Sequence, residues 1–414
     1  MPEAEADGAP LRLLFLTQTY PRRPHDGAGP FIRDLARGLV RAGDRVRVLA
    51  PHAAGLRDAW EEDGVEVRTF RYAPERLELF GYGRSLRADE RSALPALAVA
   101  PFYLAGARRA LASELAREPW DLVQAHWLVP NLLAAAPLSR RVPLVVGLHG
   151  SDVFMAEKPL VAGWSGRALA RTRALTSCSP ELARRVEALG FPVSRSTVIP
   201  YGVDSELFRP DPGRRPVWRE RLSIPLQAPL VLGVGRMATK KGFHDLLDAF
   251  AEIAQEQPEA HLVLAGGGDR LEEFRERAER IAGRVHFPGA VLHDELPDLY
   301  RAADLFALPA VHDRKGNVDG LPNVILEAMA SALPVIGTSI SGLPLAVAPG
   351  ENGWLVGEGD GAALAAALRE ALGDRARLRA LGERGRERAV REFGWDAIAR
   401  RYRAVYREAI RSPR

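Results

Sequence analysis

The 414-residue sequence is short of several things, and each shortage removes a class of answer. It has one cysteine, Cys178, so neither an intramolecular disulfide nor a thiolate metal site can form, which suits a reducing compartment. Its first residues, Met1-Pro2-Glu3-Ala4-Glu5, are acidic and polar, unlike a secretory leader. The longest apolar stretch, Leu94 to Ala107, is too short to span a bilayer and is broken by Pro95 and Pro101. It runs into Arg108-Arg109, so it reads either as a buried helix or as a contact with a membrane surface. The expected location is cytoplasmic, with peripheral membrane contact left open. Net charge is only +4, from scattered arginines without a basic run or interleaved aromatics, which argues against nucleic acid as a partner. The sequence shows no Ser-His-Asp order with a nucleophile elbow and no His-x-x-x-His pair. Nor does it place an Asp-x-Asp pair to bridge a metal to a diphosphate, so no metal and no cofactor are expected. Short-period repeats are absent too, which excludes a solenoid.

Lysine is the most telling shortage. Only Lys158, Lys240, Lys241 and Lys315 occur, because nearly every other cation is arginine. Lys240 and Lys241 follow a glycine-rich segment, and Lys315 shortly precedes Asp319. A chain that avoids lysine yet keeps it there points to a need for a compact ammonium, against the plainer reading of a lysine pair on a solvated turn.

What is present describes two ordinary domains, each long enough for its own core. Short leucine- or valine-rich runs alternate with longer amphipathic stretches, which predicts parallel sheets flanked by helices. The first-half runs are Leu11–Thr17, Arg45–Ala50, Val65–Phe70, Asp121–Ala125, Leu144–Leu148, Ala174–Cys178 and Thr197–Pro200. Helical patterns include Pro30–Ala42, with Gly43 as its stop, and Pro180–Leu189. Prolines 210, 212, 216, 225 and 229 then mark a linker. The alternation restarts with Leu230–Val234, His261–Ala265, Arg284–Phe287, Asp304–Leu308 and Pro334–Gly337, and a last helix covers about Trp395 to Ile410. The expected fold is α/β, with two doubly wound Rossmann-like domains. Ligands of such sheets bind at the carboxyl ends of the strands, so the natural site is a cleft between the domains.

Gly233-Val234-Gly235-Arg236-Met237-Ala238 follows a predicted strand and precedes a helix. Alone it matches the dinucleotide fingerprint Gly-x-Gly-x-x-Ala, so an NAD-dependent oxidoreductase is one reading. That fold wants an acidic residue after the next strand, and here the next strand ends in Gly266-Gly267-Gly268. The polar content is instead Arg236 and Lys241, two cations on one loop that suit a diphosphate leaving group. Asp319-Gly320-Leu321-Pro322-Asn323 leads into a helix running to about Ala332, with Pro322 in its first turn. Asp319 lies just ahead of that N-terminus, where backbone N–H groups and the helix dipole favour phosphate. Glu327 falls one turn in, among Val324, Ile325, Leu326 and Met329, and costs desolvation unless it meets a partner such as a ribose diol. The plainer alternatives are a capping aspartate and a glutamate paired with an arginine.

The first half offers three further loops. His149-Gly150-Ser151-Asp152 follows Leu144–Leu148 and either faces the cleft or caps a helix. Asp26-Gly27-Ala28-Gly29-Pro30 is an anion-approach loop or an ordinary turn. His126-Trp127 offers an imidazole and an indole to a sugar or to a core. Carboxylates suit hydroxyl recognition and fixed cations suit a diphosphate, and a nucleotide-sugar needs both.

The order and spacing of these motifs resemble a retaining glycosyltransferase of family 4, with the two-domain architecture called GT-B. The resemblance is carried nearly end to end, by Gly29, Asp121-Leu122-Val123 with His126-Trp127, His149-Gly150-Ser151-Asp152, and Val198-Ile199-Pro200 through Gly202-Val203-Asp204. It continues through Gly235-Arg236 with Lys241-Gly242, Phe287-Pro288-Gly289, Asp319 to Gly337, and Phe393-Gly394-Trp395. It implies that Arg236 and Lys241 hold the donor diphosphate and that Glu327 binds the ribose hydroxyls. By the same resemblance Asp319 stands near the donor sugar, His149 beside the transferred sugar, and Gly29 on a loop approaching the phosphates. Gly235 and the backbone amides of Leu321 and Asn323 would join the donor site, and His126, Trp127 and Asp152 the acceptor side. Residues 1–205 would form the acceptor-side domain and 206–394 the nucleotide-sugar domain, with 395–414 crossing back to the first.

Three positions depart from the family pattern. Asp319 is one methylene shorter than the usual glutamate, Pro322 replaces a frequent glycine and removes a donor, and Tyr201 stands where asparagine is common. The expected reaction moves a sugar from a nucleoside-diphosphate sugar to a hydroxyl acceptor with its anomeric configuration kept. Nucleobase, sugar, acceptor and oligomeric state are left open by the motifs. A non-catalytic nucleotide-sugar-binding protein, resting on Asp319, and a nucleotide-sugar epimerase stand beside the oxidoreductase as other readings.

Overall fold

The computed structural model describes residues 8–412 apart from 24–28, 79–80, 83–92, 282, 315 and 317. Residues 26–28 of the first glycine loop therefore lie outside the described residues, while Gly29 is described. The chain divides into two units, residues 1–200 with 395–414, and residues 201–394.

The first unit is built on an eight-stranded sheet. Its strands are β1 (Arg12–Leu16), β2 (Arg45–Pro51), β3 (Ala59–Glu62), β4 (Val65–Phe70), β5 (Leu122–His126), β6 (Leu144–Leu148), β7 (Ala174–Ser177) and β8 (Ser196–Val198). Their order is β3-β4-β2-β1-β5-β6-β7-β8, parallel throughout except for the β3–β4 pair. Strands β5 and β6 are buried along their whole length, as apolar runs must be when helices cover both sheet faces. The helix Pro30–Arg41 packs against the C-terminal helix Trp395–Arg411, which belongs to this unit. Their contact is close at Gly38, where a Cβ would stand 3.0 Å from the Trp395 carbonyl oxygen. Ile398, Tyr402 and Tyr406 join Leu35, Leu39 and Val46 in one core. Arg403 Nε lies 3.0 Å from Asp44 Oδ2, and Asp44 Oδ1 accepts the Leu11 N–H at 2.9 Å.

The second unit has six parallel strands, β9 (Leu230–Val234), β10 (His261–Ala265), β11 (Val285–Gly289), β12 (Leu305–Leu308), β13 (Val335–Thr338) and β14 (Gly353–Val356). Their order is β11-β10-β9-β12-β13-β14. The chain thus winds outward from β9 in one direction, then returns to its other side. Such a reversal opens a crevice beyond the carboxyl ends of the two central strands. In this unit it falls between β9 and β12, and in the first unit between β1 and β5.

Two expectations need correction. Residues 201–205 join the second unit, not the first; there Val203 pairs with Gly394 and its N–H donates to the Phe393 carbonyl. The proline-marked segment after it is no loose linker. It buries Phe208, Trp218 and Ile224 in the second core, and the buried Arg219 donates to the Ala302, Pro225 and Ala228 carbonyls and to Asp304.

Candidate functional site

In the second unit, the loop after β9 and the loop after β12 flank the crevice between those strands. They are bound to each other: the Val311 N–H donates to the Lys240 carbonyl at 3.1 Å. Gly242, at φ 66°, ends the turn Thr239–Lys241 and opens the helix Phe243–Glu256. A Cβ there would lie 1.7 Å from the Pro309 carbonyl oxygen, so the close seating of the two loops demands glycine.

This seating brings Lys240 and Lys241 onto Asp319. Lys240 Nζ bonds Asp319 Oδ1, and Lys241 Nζ lies 2.8 Å from Oδ2. Burial alone would raise the Asp319 carboxyl, but the two ammonium groups lower it. The aliphatic end of Lys241 covers Gly235, its Cε 3.2 Å from where a Cβ would stand. Next to it Arg236 is exposed, with no ion pair or side-chain hydrogen bond among the described residues. The loop after β9 is therefore a cationic ledge with one guanidinium pointing to water.

Pro322 is extended (φ −65°, ψ 129°) and caps the helix Asn323–Ala330 instead of opening its first turn. The Ile325 N–H donates back to the Pro322 carbonyl at 3.0 Å, while the first two amides of the helix precede any intrahelical acceptor, as at any helix start. Leu321 is buried, and the Asn323 side-chain oxygen is buried without a hydrogen-bond partner among the described residues. Glu327 is half-buried and pairs with no arginine or lysine among the described residues. Its Oε2 accepts the hydroxyl of Tyr300 at 2.8 Å. Burial pushes its carboxyl up to about 7, against the opposing hydrogen bond from Tyr300. Asp319 is thus a carboxylate clamped by cations, whereas Glu327 is held by Tyr300 and raised by burial.

The first unit gathers the remaining residues. His126 ends β5, His149 follows β6, and His126 Nδ1 lies 3.1 Å from His149 Nε2. Burial pushes His126 down to about 3, and burial with the neighbouring ring pushes His149 well below the usual imidazole range. Both rings are neutral, one N–H donating to the other's lone pair. Gly147 makes room for them, since a Cβ there would sit 3.4 Å from both nitrogens. The His149 ring also packs on Trp127, centroids 4.6 Å apart, and on Phe31 at 4.9 Å. Phe31 stands two residues after Gly29, whose φ is 71°. His126, Trp127 and Asp152 are buried; Asp152 accepts the Leu128 N–H at 2.8 Å and the His149 N–H at 3.1 Å. These three form the support on which the half-buried His149 sits.

Two sequence-family descriptions match this chain, Glycosyltransferase Family 4 over residues 25–207 and Glycosyl transferases group 1 over residues 228–374. A D-inositol 3-phosphate glycosyltransferase of Kineococcus radiotolerans is 31% identical over 93% of this chain and 91% of its own length. The chain belongs to glycosyltransferase family 4. Also similar to this glycosyltransferase is a GDP-mannose-dependent alpha-(1-6)-phosphatidylinositol monomannoside mannosyltransferase of Mycobacterium tuberculosis. It is 34% identical over 64% of this chain and 72% of the relative.

Solved structures show the same GT-B fold. The sucrose-phosphate synthase of Thermosynechococcus elongatus has a TM-score of 0.74 at 23% identity, covering 96% of this chain and 98% of that one. Anabaena HepE in complex with UDP has a TM-score of 0.72 at 22% identity, covering 95% and 98%.

Membership in this family displaces the oxidoreductase reading of the Gly233-Val234-Gly235 loop, whose ledge is occupied by the Lys241 side chain. Among the described residues, no cluster of three or more histidine, cysteine, aspartate or glutamate side chains could hold a metal ion. Among them, too, no helix is long and apolar enough to cross a membrane. Sequence reasoning assigned no role to Tyr300, Gly147 or the Lys240–Asp319 contact. Nothing in local spacing signals a phenol that reaches a carboxylate 27 residues away. Lys240 was legible through the scarcity of lysine and through its place in a segment expected on the same side of the domain as Asp319.

Proposed function

We propose that this glycosyltransferase is a retaining enzyme that takes its sugar from a nucleoside-diphosphate donor, a UDP- or GDP-sugar, and passes it to a hydroxyl acceptor. The observation that carries this reading is the ledge at the β9–β12 crevice, where Lys240 and Lys241 meet Asp319 beside the exposed Arg236. Fixed cations at a sheet edge suit a diphosphate, and they suit it most as charge grows on the departing group. Glu327, braced by Tyr300, is assigned to the ribose hydroxyls. Asp319 is assigned to the sugar hydroxyls, and His149 to the transferred sugar. The names of the relatives, one GDP-mannose-dependent and one acting on inositol phosphate, support a polyol-type acceptor.

In the proposed step, the bond between the anomeric carbon and the β-phosphate oxygen breaks while the acceptor oxygen bonds to that carbon on the same face. The acceptor proton passes to the departing phosphate, so no separate protein base is required. Arg236 and Lys241 stabilise the charge on that phosphate, and no resident metal enters the step. Turnover that persists in excess chelator is the expected outcome.

Lys241→Ala is expected to lower turnover by at least ~100-fold, the scale of losing one preorganised charge-stabilising group. Near-normal turnover in that variant would overturn the assignment. The donor is found by thermal shift with UDP-, GDP- and ADP-sugars, because a ligand at 100 times its dissociation constant adds about 2.7 kcal/mol of apparent stability.

A further inference from the structure

Among the described lysines, one lies outside the ledge, and it introduces an exposed apolar surface of the first unit. Lys158 is exposed and precedes the helix Pro159–Leu169. On that helix Leu160 is 91% exposed and Trp164 66% exposed. Positions 160, 164 and 167 fall within about 60° of one another around a helix, so the exposed Arg167 shares their stripe. Arg171, also exposed, stands just beyond the helix end.

The opposite face is fastened down. Ser165, Ala168 and Leu169 are buried, and Gly166 approaches the Leu189 carbonyl so closely that a Cβ would lie 2.9 Å from its oxygen. The helix cannot turn its apolar residues inward.

We propose that the outward stripe of this helix docks the enzyme on an anionic lipid surface. The charge pattern selects that partner. From Lys158 to Pro180 the chain has no aspartate or glutamate, in a protein with 53 acidic residues. Lys158, Arg167 and Arg171 make no ion pair among the described residues, whereas Arg185 nearby is paired with Glu157. A second copy of the chain is a poor occupant, because a twofold contact centred on the stripe brings like charges together. A negative headgroup layer instead meets all three cations, while tryptophan and leucine enter the boundary between water and acyl chains. The helix Ala93–Arg117 adds Phe102, 62% exposed, and the exposed Arg109, and it packs on the same Leu128–Leu138 segment as the docking helix.

The test is co-sedimentation of the full chain with vesicles of phosphatidylcholine alone or mixed with phosphatidylglycerol. Binding is expected to the mixed vesicles only, and to weaken as salt is raised. The double variant Leu160→Ser, Trp164→Ser should weaken it roughly tenfold or more, the loss of the inserted apolar groups. Arg167→Glu with Arg171→Glu should weaken it as well. Melting temperature and nucleotide binding should stay unchanged in both variants, since all four side chains are exposed. Absence of vesicle binding, equal binding to both vesicle types, or insensitivity to both double variants overturns the proposal. Self-association that the Leu160/Trp164 variant abolishes overturns it in favour of an interface between copies. None of these outcomes depends on which donor the ledge accepts.

Discussion

Asp319 occupies two ammonium groups that a diphosphate would also seek. Lys241 Nζ is 2.8 Å from one oxygen and Lys240 is bonded to the other, so on the proposed reading the carboxylate competes with the donor for charge while keeping both lysines oriented. Asp319→Asn removes the competition and leaves the hydrogen-bonding shape. Nucleoside-diphosphate affinity should hold or tighten in that variant, while turnover falls at least ~10-fold as a charged contact to the sugar is lost. Calorimetric titration alongside steady-state rates checks this split, and markedly weaker nucleotide binding would show that the lysines need the charge to stay in place.

Glu327 makes a prediction of the opposite kind. Its folded-state pKa, pushed up to about 7, exceeds the ordinary carboxylate value of 4.5. The folded protein therefore binds this proton more tightly than the unfolded chain, and the stabilisation it brings is lost as pH rises from about 4.5 to about 7. Glu327→Gln should raise the melting temperature relative to the parent above that window and give no gain below it. Melts across the range decide the matter, and a gain confined to acid pH would reverse the sign of the argument.

At the scale of elements, the donor ledge depends on how closely two loops approach. Gly242→Ala places a methyl group where the Pro309 carbonyl already lies, at a backbone angle that side chains resist. The expected cost is about 2 kcal/mol or more, with nucleotide affinity falling in parallel, measured by denaturant melts and titration. The elements that form this ledge were the legible ones. Leu230–Val234 and His261–Ala265 are continuous apolar runs between turn residues, and the structure has strands at those same bounds. The polar edge strand β3 carries no such run, and the run of β14 is only four residues long, so both escaped notice. Prolines between 210 and 229 signalled a linker because proline reports local backbone shape and says nothing of tertiary burial. Trp218 and Arg219 supply that burial through partners more than 70 residues away. The same limit hid the support for the site: the rings of His126 and His149 meet across a strand pair, at a distance that only the sheet register sets.

At the scale of the molecule, the first unit is completed by the end of the chain. Arg403, on the final helix, is 2% exposed and faces the buried Asp44. Burial raises the Asp44 carboxyl, and the Leu11 amide and Arg403 only partly offset that. Arg403→Ala leaves this carboxyl without its cation and should cost roughly 3 kcal/mol, the scale of breaking a buried pair on one side. The loss should appear in the melting of the first unit and leave nucleotide binding by the second intact. Loss of nucleotide affinity in that variant would contradict the division of labour between the units.

That closing helix has a consequence for biosynthesis. A ribosome delivers residues in order, so residues 201–394 can emerge and settle while the opening two hundred still await their last seventeen-residue strut. Folding of the amino-terminal half is therefore finished last. A chain cut before Trp395 should yield a folded second unit tethered to an unfinished first one, the kind of product that cellular proteases clear.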